Sequence, residues 1–157
     1  MKEKMIFIKI GLILCLLAFI GSMLITKSDS KKSVGDVEKS ITEAVDLSNM
    51  EKGGDRDVRR AFGINVNDYD GVAYYKPVST MDVEEILIVK LKSNDQADAL
   101  ESAVQSRVDS QLQSFQGYGA EQCQLLEDAV IKVQGNFALY AVSKDTSACK
   151  ETFLSSL

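Results

Sequence analysis

The chain has 157 residues, 26% of them charged and 45% hydrophobic, with 18 basic and 23 acidic side chains and no histidine. The missing histidine excludes Ser-His-Asp and Cys-His catalysis, histidine general bases and histidine metal ligands, and three cysteines, one of them inside an apolar run, are too few for a structural zinc site. Setting aside Lys2, Lys4, Lys9 and Glu3, which lie in or before that run, leaves 15 basic and 22 acidic residues, and a net charge of −7 argues against nucleic acid or anionic lipid as a partner of the body.

The chain opens with "IKIGLILCLLAFIGSMLITK". A lipoprotein would carry a small residue before the modified cysteine, but Leu14 precedes Cys15 in mid-run, so Cys15 reads as a small apolar residue of a helix. A cleaved signal would end in small residues, and Thr26-Lys27-Ser28 is a weak site. Spanning about 30 Å of hydrocarbon takes about 20 apolar residues, and Met5 to Ile25 supplies 21 with only Lys9 charged. The preferred reading of residues 1–27 is therefore an uncleaved signal-anchor, a transmembrane helix that makes the membrane itself one partner. Lys2, Lys4 and Lys9 before it nearly balance Lys27, Lys31, Lys32 and Lys39 after it. Export-signal logic, not charge bias, puts the body outside the cytoplasm.

Residues 28–32, "SDSKK", read as a polar linker, and residues 33–157 as one domain. Val34, Val37, Ile41 and Val45 recur at spacings of three and four, predicting an amphipathic helix from Ser33 to Met50. Ser33 and Asp36 resemble a capping box, and "EKGG" is expected to stop the helix. "DRDVRRAFG" predicts a short second helix ended by Gly63, and "NVNDYDG" a turn. "VAYYK" and "VEEILIVKLK" are strands; Leu87, Val89 and Leu91 alternate on one face, while Ile86 and Ile88 share the other with Lys90 and Lys92. A long helix from Asp95 to Gln116 carries the stripe Ala97, Leu100, Val104, Val108, Leu112 and Phe115. "AEQCQLLE" suggests a turn or two of helix. "DAVIKVQGNFALYAVS" reads as a hairpin about Gly135-Asn136, and a last helix starts near Asp145. The order α-α-β-β-α-β-β-α predicts an α+β fold: a four-stranded, mainly antiparallel sheet of two hairpins, with helices on one face.

No constellation points to a reaction. Gly71 at the sixth place of a calcium loop would put Val66 first and Pro77 twelfth, and neither is a ligand side chain. Glu84 and Glu85 are adjacent on a strand and face opposite sides, which suits polar or salt-bridging roles rather than a dyad. Arg56, Arg59 and Arg60 stand beside Asp55 and Asp57 and read as a solvated, ion-paired face. Cys123 and Cys149 could form a disulfide outside the cytoplasm, although each also fits an apolar helical position. No catalytic, cofactor-binding or metal-ligating residue is assigned, and no cofactor is expected.

"AFGIN", "VEEILIVKLK", "LQSFQGY" and "LEDAVIKVQGNFALYAVS" resemble a domain-of-unknown-function family of exported Gram-positive bacterial proteins held by a membrane helix or a lipid. The resemblance implies the address and an α+β fold, and carries no activity. The expectation is a single-pass, extracytoplasmic, non-catalytic domain that binds or assembles with an unknown envelope protein or ligand. The alternatives are an envelope hydrolase using carboxylates alone and a sensory or regulatory domain that binds a partner subunit.

Overall fold

The computed structural model describes residues 29–157, and its layering follows from one strand. That strand, β3 (Glu85–Lys90), is buried along nearly its whole length on both faces. It lies at the centre of a five-stranded sheet, flanked by β2 (Gly71–Pro77) and β5 (Phe137–Val142), with β1 (Met50–Lys52) and β4 (Val130–Gln134) at the edges. All four pairings are antiparallel. A central strand buried on both faces needs a cover on each.

One cover consists of α2 (Asp55–Phe62), α3 (Ala97–Phe115) and α4 (Ala120–Glu127), which set Phe62, Val104, Val108 and Leu126 against Leu87 and Val89. The other consists of α1 (Val34–Ala44) and α5 (Thr146–Ser156), which set Val37, Ile41, Cys149 and Phe153 against Ile86 and Ile88. Single 3-10 turns stand at Val66–Asp68 and Asn94–Gln96. The expected capping box is present: the Asp36 amide donates to Ser33 Oγ at 3.2 Å, and the Ser33 amide donates to Asp36 Oδ2 at 3.0 Å. The β4–β5 turn also forms as expected, pairing Gln134 with Phe137 across Gly135-Asn136, with φ +55° at Gly135, a value that favours glycine.

Three expectations are corrected. The sheet has five strands, not four, because the first helix ends at Ala44 rather than Met50. The Ser48 amide and hydroxyl both donate to the Asp46 carboxylate, at 2.9 and 3.0 Å, a local bond that competes with helix. The chain then turns and pairs Met50–Lys52 with Tyr75–Pro77. Helices cover both faces rather than one. Lys90, which with Lys92 left the second face only part apolar, lies at the strand's end, where its ammonium reaches Asp70 at 3.5 Å and donates to the Lys32 carbonyl at 2.8 Å. "AEQCQLLE" is a full eight-residue helix, so the order is α-β-α-β-β-α-α-β-β-α. The expected transmembrane helix falls on residues 1–27, outside the described residues. Among those described, no helix is long and apolar enough to cross a membrane.

Gly53, between β1 and α2, donates its amide to the Tyr74 carbonyl at 2.9 Å. A Cβ there would lie 2.7 Å from Tyr74 Cδ1, and the ring is held by its hydroxyl, which donates to Glu85 at 2.7 Å. Gly53→Ala is expected to cost about 1–3 kcal/mol by forcing an overpacked site to shift. Gly54→Ala, whose Cβ meets nothing within 4 Å, should cost less. Urea midpoints decide this, and an unchanged midpoint for Gly53→Ala would mean that the ring is free to move.

Candidate functional site

Tyr74 of β2 and Tyr140 of β5 both pair with Leu87 across the central strand. Glu85 lies two residues earlier on the same face, in the diagonal position that a long cross-strand side chain can reach. Both hydroxyls donate to its carboxylate, Tyr74 to Oε2 at 2.7 Å and Tyr140 to Oε1 at 2.9 Å. Arg107 of α3 closes the cluster from above, with Nε donating to Oε1 at 3.0 Å and Nη2 to Oε2 at 3.1 Å. The Glu85 side chain is 0% exposed and that of Arg107 21%. Phe62 of α2 stands edge-on to both tyrosines, with centroids 5.2 Å from Tyr74 and 5.8 Å from Tyr140.

The cluster's protonation follows from burial and charge. Desolvation, and then the negative Glu85, push the Tyr74 and Tyr140 hydroxyls far above the ordinary phenol value. Burial works to discharge Arg107, but the hydrogen bond and charge of Glu85 outweigh it and raise its pKa. Among the described residues no buried side-chain polar atom lacks a partner. Such a cluster suits an unreactive strut: both tyrosine hydroxyls and two of the three Arg107 nitrogens are committed to one carboxylate.

Arg107 also lies on the floor of a cleft of about 510 Å³. Tyr74 shares the floor. One wall is α2 with Asp57, Arg60 and Ala61; another is α3 with Gln111, Ser114 and Phe115. The rim is the β2–β3 loop with Val78, Ser79 and Thr80, facing Tyr118. Tyr118 is 65% exposed, Val78 58%, and Met81 in the same loop 54%.

Lys76 crosses the cleft wall and brings two acids together, with Nζ 3.0 Å from Glu51 Oε1 and 3.6 Å from Asp57 Oδ1. Those oxygens therefore lie within about 10 Å, the outer separation of a glycosidase pair. Such a pair needs one carboxyl held protonated. Asp57 is displaced the opposite way: it accepts the Gly54 amide at 2.9 Å, and that bond, aided by Lys76 and Arg60, lowers its pKa. Glu51 is exposed and engaged by Lys76.

Of the residues singled out in the sequence, Glu85 holds both tyrosines and Arg107, whereas Glu84 accepts from Asn49 Nδ2 at 2.8 Å and borders a small recess with Glu121 and Lys144. Arg60 lines the cleft, while Arg56 and Arg59 border a separate small recess. Cys123 and Cys149 are both free. They pack into the two different cores with the sheet between them, and burial, then Asp145, push the Cys149 thiol up to about 11. Among the described residues no group of cysteines and acids could hold a metal ion. Arg107 was missed from the sequence. Its spacing of three from Val104 puts it beside the apolar stripe of α3, and that was its one visible signal.

The cleft and the start of the described chain lie at opposite ends of the sheet. The Ser30 amide donates to Asn136 Oδ1 at 2.9 Å, Asn136 Nδ2 donates to the Ser30 carbonyl at 3.1 Å, and the Ser30 hydroxyl donates to the Leu157 carbonyl at 3.2 Å. Asn136 belongs to the β4–β5 turn, at the end where Gly71 pairs with Lys90 and Lys90 with Phe137. The cleft rim follows Pro77, at the other end of seven-residue β2, roughly 20 Å away at about 3.3 Å per residue.

Removing one member of a buried pair strands the other charge, so Glu85→Ala or Arg107→Ala is expected to cost about 3–5 kcal/mol. Glu85→Leu with Arg107→Met should cost less than the two single losses together. Denaturant titration of the four proteins tests this, and strict additivity would show that the pair is not coupled. Alkali should act on the same cluster. The unfolded tyrosines lose their protons near 10.0 while the folded ones keep theirs, so stability is complete below pH 10 and falls as pH rises above it. Tyr75, which donates to Glu38 at 2.7 Å and is pushed up to about 12 by burial and that bond, adds to the slope. Tyr74→Phe should make the alkaline limb shallower, and an identical slope would remove Tyr74 from the account.

No curated protein and no solved structure matches the chain. The family described as "Domain of unknown function (DUF4358)" matches residues 43–143, a span that holds the whole sheet, the Glu85 cluster and the cleft. The match covers more than half of the chain and agrees with the domain-of-unknown-function resemblance expected from the sequence, and the chain belongs to this family.

Proposed function

We propose that the chain is a non-catalytic binding domain of the cell envelope of a Gram-positive bacterium, tethered to the membrane by its N-terminal apolar segment and offering its cleft to a partner outside the cytoplasm. The observation that carries this reading is the clustering of exposed apolar side chains. Val78, Met81 and Tyr118 gather at or beside one cleft, and Leu154 is the one other large apolar side chain well exposed among the described residues. Such a patch, rimmed by charges, is a common mark of a binding surface. Its position supports a partner in the aqueous phase, because a tether leaving at Ser30 holds the cleft about 20 Å further out. The carboxylate-hydrolase reading draws on Glu51 and Asp57, but the Gly54 amide and Lys76 hold Asp57 charged, and Glu51 is an exposed residue bridged by the same lysine.

Two measurements on the full chain in intact cells test the reading. External protease should remove the body without lysis, and digestion that needs lysis would overturn the topology. A photo-crosslinking residue at Tyr118 should give a discrete adduct, while one at Glu101, on the exposed side of α3, should not. Equal yields at the two positions, or none at Tyr118, would remove the cleft from the proposal.

A further inference from the structure

Every acceptor on the Lys76 wall of the cleft is engaged, while its arginines retain open donors. Glu51 and Asp57 are bridged by Lys76, and Asp57 also accepts the Gly54 amide. Arg107 spends Nε and Nη2 on Glu85, which leaves Nη1 and the outer face of the fork toward the cleft. Among the described residues the Arg60 guanidinium makes no hydrogen bond or ion pair; it acts on Asp57 only at longer range. A guanidinium fork with two parallel N–H groups matches a carboxylate.

Two further features narrow the ligand. Arg60, Lys76 and Arg107 are matched in number by Glu51, Asp57 and Asp82 on the lining, so the cleft has no surplus positive charge to offset the two charges of a phosphate, and an anion there must be held by local hydrogen bonds from Arg60 and Arg107. Beside the open donors lies apolar surface: Phe115, whose ring is 5.7 Å from that of Tyr118, and Val78 opposite. The volume of about 510 Å³ lies in the range of small-ligand sites.

We propose that the cleft binds a single carboxylate carried on an apolar, ring-sized body, with the carboxylate on the outer edge of Arg107 and on Arg60 and the body against Phe115, Tyr118 and Val78. This rests on reading the cleft as the binding site. A free aromatic acid and a chain end with an aromatic last residue share this chemistry.

The test uses the full chain in detergent and titrates four probes by calorimetry: N-acetylphenylalanine, its amide, a six-residue peptide ending in phenylalanine with a free carboxylate, and the same peptide amidated. Each acid is expected to bind roughly 10-fold or more tightly than its amide, as a charge-assisted pair of hydrogen bonds implies. Arg60→Gln should weaken the acids about 10-fold and leave the amides unchanged, and Tyr118→Ala should weaken all four. Both positions are exposed, so these variants fold. Arg107→Lys, checked for folding by circular dichroism, keeps the charge, loses the fork and should behave as Arg60→Gln. A peptide acid tighter than N-acetylphenylalanine assigns the carboxylate to a chain end, and equal affinity assigns it to a free acid; both outcomes support the proposal. Acids that bind no better than their amides, acids that bind equally well to Arg60→Gln, or no heat from either acid at millimolar concentration overturn it. If the Tyr118 crosslink persists while acid and amide are equivalent, the ligand chemistry is wrong and the cleft reading stands. If the crosslink is absent, the cleft reading itself fails.

Discussion

Glu85 places a carboxylate at the start of the central strand, fully buried from bulk solvent, and the surrounding structure is organised by the need to neutralise it there. Two strands supply hydroxyls, a helix supplies a guanidinium, and Phe62 clamps the two tyrosine rings. Neutralising such a charge requires all of these at once, because a half-satisfied buried network is worse than an apolar core. The requirement links elements distant in sequence: β2, β3, α3 and β5 cannot shift register or rotate independently without orphaning a charge. A buried pair of this kind adds little net stability over a well-packed apolar replacement, so its contribution here is to specify one arrangement. The cleft benefits directly, since its floor is the outer surface of the same cluster.

Much of the fold was legible because its elements carry clean periodicities. The stripe from Ala97 to Phe115, the alternation in β3 and β5, and the glycine turn at Gly135 each impose one backbone solution. Strand β1 was not legible: three residues are too few to show alternation, and the Asp46–Ser48 bonds that end α1 leave no signature stronger than an ordinary polar stretch. The second helical layer was only half legible, because Lys90 and Lys92 share a face with Ile86 and Ile88. A lysine on a strand interrupts an apolar face, yet this one escapes sideways at the strand's end, with its ammonium 5.6 Å from the Phe137 ring centroid.

The candidate site was less legible than the fold. Glu85 could be assigned to a face but not to a partner, because nothing in the spacing of Tyr74, Arg107 and Tyr140 indicates that three separate elements converge. The residues that give the cleft its open donors and apolar rim, Arg60, Val78 and Tyr118, lie on a short helix, a loop and a post-helical turn. Each is unremarkable in its own segment. The cleft is thus assembled by the closing of the sheet and not by a local motif.

The staple at Asn136 has a consequence of its own. Ser30 and Leu157 are one hydrogen bond apart, so the described chain nearly closes on itself at the foot of the sheet. Its backbone is thus close to a ring, with both ends at the pole opposite the cleft. Joining those ends would need only a few residues, and fresh termini could be cut in the β2–β3 loop with little loss of chain entropy. Anything fused after Leu157 would hang beside Ser30, out of the way of the cleft, while the loop that carries Val78 and Met81 would stay clear at the far end.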